Sequence, residues 1–105
     1  MYHVVFLVKR RPDMTPEAFA DYWIGTHAPF TAKVPGLRAY RCYPAAGAQT
    51  GTSPFDGVAV LSFDDDVAYR AGIASPEFAA AIGDAPNFQD ITTTTSFFAG
   101  EHVVV

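Results

Sequence analysis

The chain has 105 residues, a net charge of −4 and 50% hydrophobic residues, which predicts one domain with a modest core. Its single cysteine excludes an intrachain disulfide and a four-thiolate zinc site, and favours a reducing compartment such as the cytoplasm. The acidic balance argues against a nucleic-acid partner, and the apolar run at residues 4–8 is too short for a membrane span or a signal segment.

The first predicted element is a strand at residues 2–9, where β-branched and aromatic side chains follow one another without a breaker. Side chains on both faces of this strand are apolar, so we expect it to be buried on both sides. The sequence RPD at residues 11–13 then predicts a turn.

A helix is predicted to begin after Thr15, an N-cap residue followed by Pro16 and Glu17. The helical period places six side chains on one face, and these are Phe19, Trp23, Thr26, His27, Phe30 and Val34. Pro29 disfavours helical geometry at the residue before it, so we expect a break or kink just after His27. A Pro-Gly pair at residues 35–36 ends the segment.

Two further strands are predicted at residues 37–43 and 55–63, paired antiparallel with each other. The connection between them, residues 44–54, is rich in turn formers and small residues and shows no periodicity. We expect this connection to be mobile and able to act as a lid.

A second helical region is predicted to open at the three aspartates of residues 64–66 and to restart at Ser75. Gly83 is the expected terminator of this region. Residues 84–90 are expected to be irregular, and residues 92–105 are expected to form a last strand, broken near Gly100.

The element order β-α-β-β-α-β predicts an α+β fold of the ferredoxin-like type, with a four-stranded antiparallel sheet and two helices on one face. The other face of such a sheet is bare, yet the strands are apolar on both faces. Pairing two sheets in a homodimer would bury that second face and give a closed barrel with the helices outside.

Two motifs in the first half of the chain are similar to a known family. The run M-x-P-E-x-F-x-x-Y-W-x-x-x-H-A-P at residues 14–29, followed by P-G-L-R-x-Y at residues 35–40, resembles the EthD domain family of the dimeric α/β-barrel superfamily. Residues 84–90 and 101–103 also resemble that family. The resemblance implies one homodimeric barrel domain over residues 1–105. Related members include lactone isomerases and polyketide cyclases, dehydratases or decarboxylases, which work without metal or organic cofactor.

His27 is the leading candidate for a catalytic residue, because an imidazole can accept or donate a proton near neutral pH. The alternative is a histidine that bonds the last carbonyls of the helix. His3 is a second candidate, since dimeric-barrel cyclases use a first-strand histidine, although a strand-end histidine without a chemical role is favoured. His102 is expected to be structural or interfacial.

Other side chains are candidates for supporting roles. Tyr22 and Tyr40 could donate hydrogen bonds to a carbonyl or enolate oxygen, although buried tyrosines commonly bond within the protein. Asp90 could orient a histidine, although a solvated loop suits it better, and Cys42 is not expected to be a nucleophile. An apolar binding pocket would take its walls from Phe19, Trp23, Phe30, Phe55 and Phe88. The three histidines lie far apart in the sequence, so no metal site is predicted.

These residues leave two functions open. The first is a small cofactor-independent enzyme that acts by proton transfer on an apolar carbonyl compound, lactone or polyketide-type molecule, as an isomerase, cyclase, dehydratase or decarboxylase. The alternative is a non-catalytic protein that binds an apolar small molecule and serves a degradation or biosynthetic pathway. The two differ in whether His27 moves a proton.

Overall fold

The computed structural model describes residues 1–105, and its centre is one four-stranded antiparallel sheet. The strands follow the order β2-β3-β1-β4 across the sheet. Their bounds are β1 (Tyr2–Val8), β2 (Ala39–Pro44), β3 (Gly57–Phe63) and β4 (Thr95–Ala99). The predicted ferredoxin-like α+β fold is confirmed, including the antiparallel pairing of β2 with β3.

Helices cover one face of this sheet. They are α1 (Pro16–Tyr22), a π-helical turn (Trp23–His27), α2 (Ala28–Thr31), α3 (Asp66–Ile73), α4 (Pro76–Asp84) and a 3₁₀ turn (Ala85–Asn87). Thr15, Asp65 and Ser75 cap α1, α3 and α4, each accepting a hydrogen bond from a backbone N–H of the first turn. None of the helices has the length and apolar character that a membrane span needs.

The sequence predicts a break or kink just after His27, and the helix is irregular at this point but does not end. It widens instead into the π-helical turn, in which the N–H of Ala28 donates to the carbonyl of Trp23, and it then continues as α2. In a straight α-helix the ring of Pro29 would collide with the carbonyl four residues earlier, so the wider turn accommodates the proline.

The extra residue in this turn changes which side chains face the core. Trp23, His27 and Thr31, spaced by four residues, are buried, whereas Thr26 is exposed. Phe30 is only half-buried. The predicted inward position of Thr26 was therefore wrong, because the prediction assumed an uninterrupted α-helical period.

Two predicted boundaries were also wrong. Gly83 does not end the second helical region, since α4 runs through it to Asp84 and a 3₁₀ turn follows. The last strand covers only Thr95–Ala99, and residues 100–105 belong to no strand. Residues 45–56, which connect β2 to β3, contain neither helix nor strand, in agreement with the sequence.

The core lies between the helices and the sheet face that they cover, which carries every second residue of each strand. Its buried members are Val8, Phe19, Trp23, Val34, Ala59, Leu61, Phe63 and Phe88. The opposite sheet face carries mainly apolar side chains that no element of the chain covers, and these include Val5, Leu7, Val58, Val60 and Phe97.

Gly57, at the start of β3, lies directly beneath Trp23, and a Cβ at this position would overlap the indole ring. We therefore expect Gly57→Ala to lower the free energy of unfolding by about 1–3 kcal/mol through overpacking, measured by urea denaturation. Gly83→Ala is the matched control, since a Cβ there meets no atom within 4 Å. The control should be neutral or slightly stabilising because alanine favours the helix. Equal stability of wild type and Gly57→Ala would contradict the tight packing of Trp23.

Candidate functional site

A cavity of about 340 Å³ lies between the helix-covered face of the sheet and the helices above it. The sheet supplies its floor, made of Phe6, Val8, Tyr40, Ala59 and Leu61. The helices supply Trp23, His27, Thr31, Phe78, Ala81 and Ile82, and the segment before β4 supplies Ala85, Gln89, Ile91 and Thr94. Ile82 and Ile91 are 55% and 56% exposed, so they mark the entrance. A mostly apolar cavity with few polar groups is typical of small-molecule sites.

His27, at the end of the π-helical turn, borders this cavity and is 7% exposed. Its Nδ1 lies 2.8 Å from Oδ2 of Asp84, the last residue of α4. An ionised carboxylate can only accept hydrogen bonds, so Nδ1 carries the proton. In the neutral imidazole, Nε2 is then the atom that is free to accept a proton, with Thr31 Oγ1 3.5 Å away.

Asp84 is held as an anion by three donors. The Tyr22 hydroxyl donates to Oδ1 at 2.7 Å and the Asn87 amide donates to the same oxygen at 3.0 Å, while His27 binds Oδ2. Burial is the largest single influence on the pKa of Asp84 and raises it, but the hydrogen bonds together outweigh burial and hold this pKa below its usual value. The carboxylate in turn raises the pKa of the Tyr22 hydroxyl that donates to it.

The ring of Phe88 packs against two residues of this hydrogen-bond network, His27 and Tyr22. This ring is fully buried, and its centroid lies 4.6 Å from that of His27 and 5.4 Å from that of Tyr22. Phe19 packs on the same ring at 5.5 Å. The imidazole is therefore fixed by a hydrogen bond at its edge and by a tilted aromatic ring packed beside it.

Tyr40 supplies a second polar group on the cavity wall. Its hydroxyl accepts a hydrogen bond from Trp23 Nε1 at 3.3 Å, and Thr31 and Cys42 are its other neighbours. Burial raises the pKa of Tyr40 far above its usual value, so the hydroxyl keeps its proton and can donate it to a ligand. Burial also raises the pKa of the Cys42 thiol, which makes a reactive thiolate unfavourable.

The structure brings together only some of the side chains that the sequence singled out. His27, Tyr40 and Trp23 line the cavity. Tyr22 does not line it and acts on His27 only through Asp84. Phe19 and Phe88 are core residues that pack against site residues without lining the cavity. Phe30 is half-buried and does not line the cavity either.

His3 and Phe55 lie elsewhere. His3 is on the opposite face of the sheet from the cavity, where its Nδ1 is 2.6 Å from the Ser62 hydroxyl. Phe55 borders a separate hollow beneath the β2–β3 connection, and that connection does not cover the cavity of His27. His102 is exposed near the C-terminus.

Sequence reasoning missed Asp84 and Thr31. Asp84 falls in a segment that was expected to be irregular, and Asp90, the carboxylate considered for orienting a histidine, instead accepts hydrogen bonds from Thr92. Thr31 lies four residues after His27, and this spacing could have identified it. The prediction missed it because a straight α-helical period places Phe30 on the inward face instead. The chain contains no cluster of three His, Cys, Asp or Glu side chains arranged to hold a metal ion.

Comparison with known proteins places this chain in a family. The model of the EthD domain matches residues 11–92, and no curated protein matches the chain significantly. An EthD (ethyl tert-butyl ether D) family protein from Bacillus halodurans C-125 is 26% identical, with a TM-score of 0.80 over 97% of this chain and 100% of its own.

Two more distant structures share the fold. A dimeric ferredoxin-like protein of unknown function from Thermobifida fusca YX is 18% identical, with a TM-score of 0.74 over 95% of this chain and 90% of its own. An antibiotic biosynthesis monooxygenase is 14% identical, with a TM-score of 0.67 over 98% of this chain and 100% of its own.

The fold and the site thus define a ferredoxin-like α+β protein with a buried histidine–aspartate pair at an apolar cavity. The chain belongs to the EthD domain family, which confirms the resemblance found in its first motif.

Replacing Asp84 with Asn should lower the free energy of unfolding by about 1–3 kcal/mol near neutral pH, because a buried charged acceptor with three donors is lost. The pKa of Asp84 in the folded protein is below 3.8, so its contribution is present above that value and is lost as the pH falls through the folded-state pKa. The stability difference between wild type and variant should therefore narrow as the pH is lowered below about 5 and through the folded-state pKa, measured by thermal unfolding.

Asp21→Asn, on the exposed side of α1, changes the net charge by the same amount and serves as the control. A wild-type advantage over Asp84→Asn that stays constant across this pH range would contradict an ionised, hydrogen-bonded Asp84.

Proposed function

We propose that this protein is an enzyme that transfers a proton on an apolar carbonyl compound, lactone or polyketide-type molecule, with His27 as the general base. The observation that carries the proposal is the pairing of Asp84 with His27 Nδ1 at 2.8 Å, in a residue that borders an apolar cavity. This pairing leaves Nε2, with Thr31 Oγ1 3.5 Å away, as the basic nitrogen. A general base needs this combination of a fixed tautomer, a free acceptor atom and a desolvated setting.

Each polar group of the site has a part in the proposed step. Nε2 of His27 takes the proton from the carbon next to the carbonyl, and a carbon–carbon double bond forms while negative charge moves to the carbonyl oxygen. The Tyr40 hydroxyl donates a hydrogen bond to that oxygen as the charge develops. In an isomerisation the proton then returns from Nε2 to a different carbon of the substrate. In a cyclisation the enolate carbon first attacks a second carbonyl carbon of the same molecule, and the proton from Nε2 goes to the alkoxide oxygen that this attack forms.

Tyr22 and Asp84 are positioning residues in this scheme. The carboxylate holds the imidazole in one orientation and stabilises the imidazolium that forms when Nε2 is protonated. Tyr22 and Asn87 keep that carboxylate in place. His3 has no part in the step, because it lies on the opposite face of the sheet.

The proposal is tested with β-tetralone, an apolar bicyclic ketone with an acidic C–H next to its carbonyl. Wild-type protein in D₂O should accelerate hydrogen–deuterium exchange at that carbon above the buffer rate, measured by proton NMR. His27→Gln keeps a polar side chain of similar size but cannot carry the proton, so the exchange should fall to the buffer rate. On a good substrate such a loss is about 10²–10⁴-fold.

His102→Gln, an exposed position, is the matched control and should exchange like wild type. If β-tetralone binds to wild type and His27→Gln alike and neither accelerates exchange, a non-catalytic binding or accessory role replaces the catalytic one.

The protein is also proposed to act as a homodimer. The uncovered sheet face carries Val5, Leu7, Val58 and Val60, a contiguous apolar surface that a second copy would bury. The ferredoxin-like protein from Thermobifida fusca is described as dimeric, which supports this assembly. The cavity lies on the other side of the sheet, so each protomer keeps its own site.

Sedimentation at micromolar concentration should give a species of twice the 11.3 kDa chain mass. Val60→Lys, at the centre of the uncovered face, should shift the protein to a monomer, because an unpaired ammonium would have to be desolvated at the interface. Val67→Lys on α3 is the matched control, since Val67 is 65% exposed on the helical side and should not affect assembly. A stable wild-type monomer would refute the dimer.

A further inference from the structure

The cavity extends across the full width of the sheet. Its lining includes Tyr40 on β2, Leu61 on β3, Phe6 on β1 and Thr94 at the residue before β4. Because the strand order is β2-β3-β1-β4, Tyr40 and Thr94 are offset by three strand spacings across the sheet, about 14 Å. They are also offset by four residues along the strands, since the pairing aligns Tyr40 with Phe98 through Leu61 and Val4. The line from Tyr40 to Thr94 therefore runs diagonally over the sheet.

Polar side chains occur at the two edges of this span. The β2 edge carries the Tyr40 hydroxyl, with Thr31 and His27 beside it. The β4 edge carries Gln89 and Thr94. The floor between the two edges is apolar and is made of Phe6, Val8, Ala59 and Leu61.

Gln89 is the half-buried amide residue of the cavity lining. The Thr94 hydroxyl donates to its Oε1 at 3.1 Å, which fixes the orientation of the amide. The Nε2 atom of Gln89 then has two donors that bind no other group of the chain. The backbone N–H of Gln89 is bonded to the carbonyl of Ala85 at 2.9 Å, so the residue is anchored to the end of the second helical region.

The lining contains no Lys, Arg, Asp or Glu. A carboxylate or phosphate in the interior of the cavity would therefore be desolvated without a cationic partner, which is costly. A neutral hydroxyl or carbonyl oxygen can accept from the Gln89 amide without that cost.

The geometry points to an uncharged, elongated ligand with an apolar middle and an oxygen at each end, one bound at Tyr40 and His27 and the other by Gln89. This inference rests on the proposed function, since it takes the reacting end to lie at His27. It adds that Gln89 determines specificity by selecting ligands with a second polar end.

Two biphenyl probes test this, one with a hydroxyl at both para positions and one with a hydroxyl at a single para position. Wild-type protein should bind the diol about 3- to 10-fold more tightly than the mono-ol, the difference expected for one neutral hydrogen bond, measured by titration calorimetry. Gln89→Met keeps the side-chain length without the amide and should lose this preference while it still binds both probes.

Gln49→Met, in the exposed β2–β3 connection, is the matched control and should keep the wild-type preference. Thr94→Val is the second variant, which releases the Gln89 amide from its hydrogen bond and should weaken the preference without removing the donor. Equal affinity of wild type for both probes, or a preference that survives in Gln89→Met, would overturn this inference and leave the apolar site intact. Binding of neither probe would overturn the proposed function as well.

Discussion

The geometry of the site depends on the π-helical turn at Trp23–His27. Pro29 cannot follow a regular α-helical turn without a steric collision, and the wider turn removes that collision. The extra residue places His27 and Thr31 below Trp23 on the same side of the helix. In a straight helix, by contrast, Thr26 and Phe30 would have shared that side with His27. Insertions of this type are frequent at functional sites because they redirect side chains while the helix continues.

The fold determines where a ligand can bind, but the cavity side chains determine which chemistry is available. Structures with the same fold include an EthD family protein and an antibiotic biosynthesis monooxygenase, so the architecture alone does not select a reaction. In this chain the cavity combines an apolar floor with an oriented imidazole and a protonated phenol. That combination supports the proposed movement of a proton on a neutral carbonyl compound.

The sequence predicted the elements that depend on local pattern, and it also predicted the family. Continuous apolar runs identified β1 and β3, and the similar starts Thr15-Pro16-Glu17 and Ser75-Pro76-Glu77 identified two helices through their caps. The sequence did not predict the partner of His27, because Asp84 reaches it across 57 residues and only the tertiary fold brings them together. Thr31 and Gln89 were missed for similar reasons, since their roles depend on the π-helical turn and on the strand order. The end of α4 was misplaced because Gly83 stays within the helix, which ends at Asp84, two residues before Pro86.

The position of Asp84 also links the two halves of the domain. A carboxylate in the last turn of α4 faces the negative end of the helix dipole and is unfavourable there by itself. Two of the donors that offset this effect, Tyr22 and His27, belong to the other helical segment. Separation of the segments would leave the carboxylate without these partners and the imidazole without its acceptor. We therefore expect the end of α4 and the π-helical turn to behave as one cooperative unit, with backbone amides that exchange with solvent through the same opening event.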